Sequence, residues 1–120
     1  MWEYRATPTN VVDGDTFDAT VDLGFSASLD MRLRLLGADT FEPRGDTREL
    51  GLAATEFTRQ WFLTHADPAG RVLIVTVPDR RERDQRDSFG RYLAFVWNIA
   101  KSANLNEALI TAGHTTGRYE

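Results

Sequence analysis

The chain has 120 residues, of which 42% are hydrophobic and 27% charged, and a formal net charge of −4. This composition is ordinary for a soluble globular protein, and the length allows one domain with a core of its own but not two. Because the chain has no Cys, disulfide frameworks, cysteine nucleophiles and thiolate metal sites are excluded. The negative charge argues mildly against a nucleic-acid partner, although a catalytic site needs only local positive charge and a bound cation adds its own.

The first residues lack the basic region and apolar stretch of a signal peptide. No apolar run approaches the length of a membrane span. We therefore expect a cytoplasmic protein with no membrane partner, unless a leader was removed from this sequence. We also expect a monomer or a homodimer.

The first third of the chain predicts three β-strands in succession. Residues 3–12 form the first, in which Pro8 would suit an edge or a bulge. Two segments then alternate apolar and polar residues with the period of a half-buried strand. The alternating apolar residues are Phe17, Ala19, Val21 and Leu23 in one segment and Leu29, Met31, Leu33 and Leu35 in the other. Turn residues at 13–15 and a loop at 24–28 connect the three strands.

The remainder predicts two helices and two more strands. Residues 50–65 have helical apolar spacing, and residues 72–77 and 92–97 are strand-like runs joined by the charged connection 78–91. Asn104 and Glu107 form a capping pair at the start of a last helix that stops at Gly113. The order βββαββα predicts one α+β domain over residues 1–120. It suits a small, partly open barrel, but it does not separate that barrel from other α+β folds.

The first motif with chemical potential is Val12-Asp13-Gly14-Asp15-Thr16. Two carboxylates around a glycine in a tight turn can present hard oxygen ligands to a cation such as Ca²⁺. Asp-Gly is also a common hairpin turn in its own right. Taken alone, the segment favours the turn.

The second motif runs from Arg34 to Glu42. A strand with Arg34 on its polar face leads into a loop in which Asp39 could bind a metal together with the backbone carbonyl of Thr40. Glu42 could hold or deprotonate a water, and Arg34 could form a fork on a phosphate. The alternative is a solvated strand face followed by an acidic loop.

The third motif places Arg91 after Phe89 and Gly90, at the start of an apolar strand that would fix its direction. The alternative is a solvated arginine paired with the acidic residues of 79–91. Phosphodiester cleavage needs a cation, a positioned water, a general base and positive groups near the phosphate. The three motifs together supply this set.

In this order, the segments DGDT, RLLGADTFE, FGR followed by YLAFVW, and NLNEALITAG resemble the staphylococcal nuclease family, from about Thr7 to Tyr119. The resemblance implies a mainly β domain with α (α+β), an OB-fold-like barrel of five strands with two helices. The chain stops at Glu120, so we expect the family's closing C-terminal third helix to be absent.

The resemblance also implies a Ca²⁺-dependent nuclease. Water would attack phosphorus in line in DNA and/or RNA and leave 3′-phosphorylated products. It implies calcium ligands at Asp15, Asp39 and the Thr40 carbonyl, a water-activating Glu42, phosphate-binding Arg34 and Arg91, and substrate contacts at Phe89 and Tyr119. Two departures are that Phe41 stands where the family usually has Pro, and Phe89 where it commonly has Tyr.

Two other functions stay open at this point. One is a catalytically silent OB-type module that binds nucleic acid or protein, which the acidic net charge supports. Its expected signature is loss of the acidic ligands or of the two arginines, and all of these are present. The other is a structural domain whose Asp-rich loops merely bind metal.

Overall fold

The computed structural model describes residues 2–77, 86 and 91–116. Within this part, five strands and two α-helices follow one another in the predicted order. They are β1 (Trp2–Asp13), β2 (Thr16–Gly24), β3 (Ala27–Leu35), α1 (Arg48–His65), β4 (Val72–Thr76), β5 (Tyr92–Trp97) and α2 (Leu105–Thr111). A single 3₁₀ turn, Gly45–Thr47, leads into α1. Neither helix in the described ranges is long and apolar enough to cross a membrane.

The five strands close into a barrel in the order β1-β2-β3-β5-β4. Neighbouring strands are antiparallel except β3 and β5, which run parallel. The predicted OB-fold-like α+β barrel is confirmed, but it is closed rather than partly open. Closure is possible because β1 is long: residues 2–6 pair with β4 and residues 6–13 pair with β2. The pairing with β2 shifts register between Pro8 and Asn10, which confirms the bulge that Pro8 suggested.

The barrel interior follows the period-2 pattern of the strands. Phe17, fully buried on β2, packs against Phe62 of α1 with ring centroids 5.0 Å apart. Helix α1 therefore covers the barrel on the side where β1 turns into β2. Other buried members of this core are Ala6, Ala19, Val21, Leu33, Leu35, Trp61, Val72, Ile74, Ala94, Val96, Leu105 and Leu109.

The connection between β2 and β3 is shorter than the loop predicted at 24–28. Both strands continue to a turn formed by Phe25 and Ser26, which have φ values of 54° and 62°. A two-residue turn with positive φ at both positions matches the twist of the flanking strands, so the hairpin extends further. Leu23 and Leu29 lie on this extension and are about half exposed, in contrast to the other alternating apolar residues.

Helix α2 is joined to the barrel by a buried side chain. Its predicted cap is confirmed, since the Asn104 side chain accepts a hydrogen bond from the Glu107 amide at 2.9 Å. The buried amide of Asn106 accepts from Val96 N at 3.0 Å and donates to the carbonyls of Leu36 and Ala94 at 2.8 and 3.1 Å. Asn106 therefore fixes α2 to β5 and to the first residue after β3.

We expect Asn106→Ala to lower the free energy of unfolding by more than about 2 kcal/mol. The substitution removes the partner of the buried Val96 amide and of the partly buried Leu36 carbonyl, and a group left unsatisfied costs roughly 1–3 kcal/mol. Urea unfolding followed by circular dichroism measures the change. Thr111→Ala, at an exposed position of the same helix, is the control, and an equal effect of both substitutions would contradict this role of Asn106.

Candidate active site

Three segments meet where β1 turns into β2: the turn at 13–15, the loop after β3, and one face of α1. The contact depends on Gly14, because a Cβ at this position would lie 2.8 Å from both Ala54 Cβ and Thr40 Oγ1. The Thr58 hydroxyl also donates to the Gly14 carbonyl at 2.7 Å, in a buried hydrogen bond. Helix α1 and the loop thus hold the turn from two sides.

Asp15 is buried at this junction, with 7% of its surface exposed. Its Oδ1 accepts a hydrogen bond from the Thr16 hydroxyl at 3.0 Å, and its Oδ2 accepts from the Thr40 amide at 3.1 Å. Its own carbonyl accepts from Leu35 N at 2.9 Å. The Asp15 carboxylate is therefore held in one orientation, facing the loop that carries Asp39.

The guanidinium of Arg34 lies against both acidic residues. Its Nη2 is 2.7 Å from Asp39 Oδ1 and 3.6 Å from Asp15 Oδ2. The Arg34 side chain is 15% exposed, whereas that of Arg32 on the same strand is 52% exposed. Arg34 is therefore not a solvated strand residue. Since one nitrogen contacts both carboxylates, the two acidic groups lie close together.

The donor set fits a hard divalent cation such as Ca²⁺, which prefers carboxylate and carbonyl oxygens. Asp15 and Asp39 offer the carboxylates, and the Thr40 backbone already contacts Asp15. No three His, Cys, Asp or Glu side chains are grouped to hold a metal within residues 2–77, 86 and 91–116. A bound cation with the usual six to eight ligands would therefore take several from the backbone, water or substrate.

The segment after α2 also supports this loop, which the sequence analysis missed. Thr116 N donates to the Asp39 carbonyl at 2.8 Å, and Thr115 forms an isolated β-bridge with Thr40. The two segments are distant along the chain and neither carries a pairing motif. No sequence signal indicated the contact.

Glu42 is exposed at the surface, and Arg91 lies immediately before the strand that pairs in parallel with β3. The Glu42 side chain is 75% exposed, and its carboxylate is 3.9 Å from Arg44 Nε. Arg91 directly precedes β5, in which Leu93 is the Cα partner of Arg34. The structure thus brings together Asp15, Arg34, Asp39 and Thr40. Glu42 lies on the surface, at the end of the loop that follows β3. Arg91 precedes the strand that neighbours Arg34. The two other sequence-predicted contacts, Phe89 and Tyr119, lie outside the described residues.

The ionised form of Asp13 is disfavoured in the folded protein. Burial and the neighbouring Asp15 carboxylate raise the pKa of Asp13 from its ordinary 3.8 to about 6. Its Oδ1 accepts a hydrogen bond from the Asp15 amide at 3.3 Å, which opposes the shift only in part. The sequence showed Asp13 only as half of the acidic turn, because burial was not visible there.

Among curated proteins, the chain is similar to a thermonuclease from Staphylococcus intermedius, with 36% identity over 90 residues. The match covers 72% of this chain and 45% of the thermonuclease, so the chain spans less than half the length of that relative. No family model matches the chain. The similarity supports a distant relationship to nucleases of the staphylococcal type.

The raised pKa of Asp13 predicts a pH-dependent stability. Between pH 3.8 and about 6 the folded state binds more protons than the unfolded state, so stability falls as pH rises through this window. We expect Asp13→Asn, which keeps the acceptor oxygen, to raise the urea midpoint at pH 7.5 in EDTA and to change it little at pH 4. Asp46→Asn, at an exposed position, is the control. A lower midpoint for Asp13→Asn at pH 7.5 would contradict the assigned cost.

Proposed function

We propose that this protein is a Ca²⁺-dependent nuclease that hydrolyses phosphodiester bonds of DNA and/or RNA. The observation that carries the proposal is the contact of one Arg34 nitrogen with the carboxylates of both Asp15 and Asp39. This arrangement puts two carboxylates and a guanidinium at one partly buried point. Hydrolysis of a phosphodiester needs both kinds of group within reach of the same phosphate.

Asp15, Asp39 and the Thr40 carbonyl are the residues that would hold the cation. When bound, Ca²⁺ would polarise a phosphoryl oxygen and stabilise the charge that develops there. The orientation of Asp15 is set by Thr16 and Thr40. The Asp15 side chain would therefore need little reorganisation when a cation binds.

The two arginines act on the phosphate. Arg34 and Arg91 would donate hydrogen bonds to its non-bridging oxygens, and a guanidinium can do so in the bidentate manner that a point charge cannot. The approach of a cation to Asp15 and Asp39 would weaken the ion pairs of Arg34. Its donors would then become available to the substrate.

Glu42 is assigned to the attacking water. Its exposed carboxylate would accept a proton as the water oxygen bonds to phosphorus in line with the 5′-oxygen. The bond from phosphorus to the 5′-oxygen breaks, and that oxygen takes a proton from solvent. The products are a 3′-phosphate and a 5′-hydroxyl.

The similarity to a thermonuclease supports this assignment, as does the order of the acidic and arginine motifs, which resembles that of the staphylococcal nuclease family. One observation favours a second candidate, a silent OB-type module that binds nucleic acid or protein. It is the net charge of −4, which does not favour tight binding to a polyanion and therefore favours the protein-binding form of this module. The module would bind its partner without cleaving it.

A cleavage assay separates the two candidates. Supercoiled plasmid and denatured DNA or RNA are incubated with the protein in Ca²⁺, in Mg²⁺ and in EDTA, and the ends are identified by phosphatase treatment. The nuclease is expected to cut in Ca²⁺ and to stop in EDTA, leaving 3′-phosphates. Retarded but intact nucleic acid in every condition would support the binding module instead.

Asp39→Asn is expected to abolish most Ca²⁺-dependent cleavage and to weaken Ca²⁺ binding in calorimetry. The substitution preserves the shape of the side chain but removes one of the two carboxylate charges that would hold the cation. Far-UV circular dichroism should remain native. Asp46→Asn serves as the matched control at an exposed acidic position, and unchanged Ca²⁺ affinity in Asp39→Asn would refute the metal assignment.

Arg34→Lys is expected to lower kcat by about 10²–10³-fold, because a preorganised donor to the transition state is lost and lysine cannot form the fork. Arg32→Lys, two residues earlier on β3 and largely exposed, should stay within about threefold of the wild type. The same loss is expected for Arg91→Lys. Retention of more than about a tenth of kcat would place the altered arginine outside the reaction.

A further inference from the structure

The first turn of α1 lies directly on the backbone of Glu42 and Pro43. Gly51 is buried there, and a Cβ built on it would be 2.3 Å from the Glu42 carbonyl carbon and 2.3 Å from Pro43 N. Ordinary van der Waals contacts of a Cβ are 3.4–4 Å. Because the atoms it would meet belong to the backbone, they cannot swing aside as the end of a long side chain can. Only glycine allows the helix and this loop to approach so closely.

A second contact from the start of the helix holds the same backbone. The Thr47 hydroxyl donates to the Glu42 carbonyl at 2.8 Å. Thr47 occupies the N-cap position of α1, yet its side chain makes no capping hydrogen bond to the helix. Its hydroxyl donates to the backbone of the loop instead. The backbone of Glu42 is thus fixed on two sides, while its carboxylate stays exposed.

Glycine inside a helix is unfavourable, since it loses more conformational freedom on folding than alanine does. Its presence at position 51 therefore calls for a packing or functional reason. The close approach to Glu42 provides that reason. Gly51 has a negative φ and helical geometry, so the glycine is needed for space rather than for an unusual backbone conformation.

We propose that Gly51 is a positioning residue for Glu42: the missing side chain sets where the Glu42 backbone, and hence its carboxylate, stands relative to Asp39 and Thr40. This inference rests on the proposed function, in which Glu42 accepts the proton of the attacking water. Gly51 touches no reacting atom itself. It acts only through the loop that lies against it.

Gly51→Ala would force the loop outward by about 1 Å, a misplacement that can cost about 10²-fold in rate. A general base must stay within about 2.6–3.2 Å of the group whose proton it accepts. Alanine favours helix, so α1 itself should not be weakened. We therefore expect kcat to fall about 10²-fold, with native far-UV circular dichroism and unchanged Ca²⁺ affinity.

The experiment measures kcat, KM and Ca²⁺ affinity for the wild type, Gly51→Ala, Glu42→Gln and the double variant. The double variant should be no slower than Glu42→Gln alone, because the carboxylate whose position is lost has already been removed. The KM of the double variant should also stay close to that of Glu42→Gln. Leu52→Ala, at a partly exposed position of the same helical turn, is the control and should retain wild-type activity.

The outcomes separate the inference from the proposed function. Full activity of Glu42→Gln would refute the assignment of Glu42, whatever Gly51→Ala does. If Glu42→Gln lowers kcat strongly but measurably while Gly51→Ala stays within about threefold of the wild type, or if the two effects simply add, the inference is overturned. Should Gly51→Ala fail to fold, Thr47→Val decides, since it removes the hydroxyl that donates to the Glu42 carbonyl and, at a longer distance, to the Arg44 carbonyl. A several-fold loss of kcat that vanishes in the Glu42→Gln background supports the inference, and full activity of Thr47→Val overturns it.

Discussion

The buried hydrogen bond from the Thr58 hydroxyl to the Gly14 carbonyl joins α1 to the turn between β1 and β2. A buried carbonyl that loses its partner costs roughly 1–3 kcal/mol, so the bond favours one position of the helix over others. With the helix there, Ala54 and Thr40 both contact Gly14, and no side chain would fit between them. The Thr40 amide then reaches the Asp15 carboxylate. The acidic group therefore depends on packing that is set by the helix.

The acidic residues Asp15 and Asp39 are paired with Arg34 at a partly buried position. Two carboxylates held close together repel each other, and the Arg34 guanidinium compensates for that repulsion by contacting both. Ion pairs removed from water gain little net stability, because desolvation offsets the Coulomb attraction. The pKa of Asp13, two residues before Asp15 in the chain, is raised first by burial and then by the Asp15 carboxylate. Such a concentration of acidic groups costs folding free energy, and the cation proposed for this site would offset that cost.

Local patterns in the sequence predicted the elements well. Alternation identified the strands, helical spacing identified α1, and the pair Asn104 and Glu107 marked the start of α2, because each of these signals operates within a few residues. The predicted cluster of Asp15, Arg34 and Asp39 also forms, although its roles remain predictions. The burial of Arg34 was not predictable, since a polar strand face gives no sign of what covers it. The close approach of Gly51 to the Glu42 backbone was not predictable either, because that backbone lies in a loop without regular structure.

The loop at 36–42 has no regular secondary structure apart from the isolated β-bridge between Thr40 and Thr115. Its backbone carbonyls nevertheless accept hydrogen bonds from other parts of the chain at regular intervals. The Leu36 carbonyl accepts from Asn106 of α2, the Asp39 carbonyl accepts from Thr116 N beyond α2, and the Glu42 carbonyl accepts from Thr47 at the start of α1. Every third carbonyl is therefore bound by a different part of the chain. These contacts use backbone atoms and leave the Asp39 and Glu42 carboxylates to other partners. A loop fixed in this way can present its side chains with little conformational freedom to lose if they bind a ligand. Helix α2 thereby supports the site through contacts with the loop backbone.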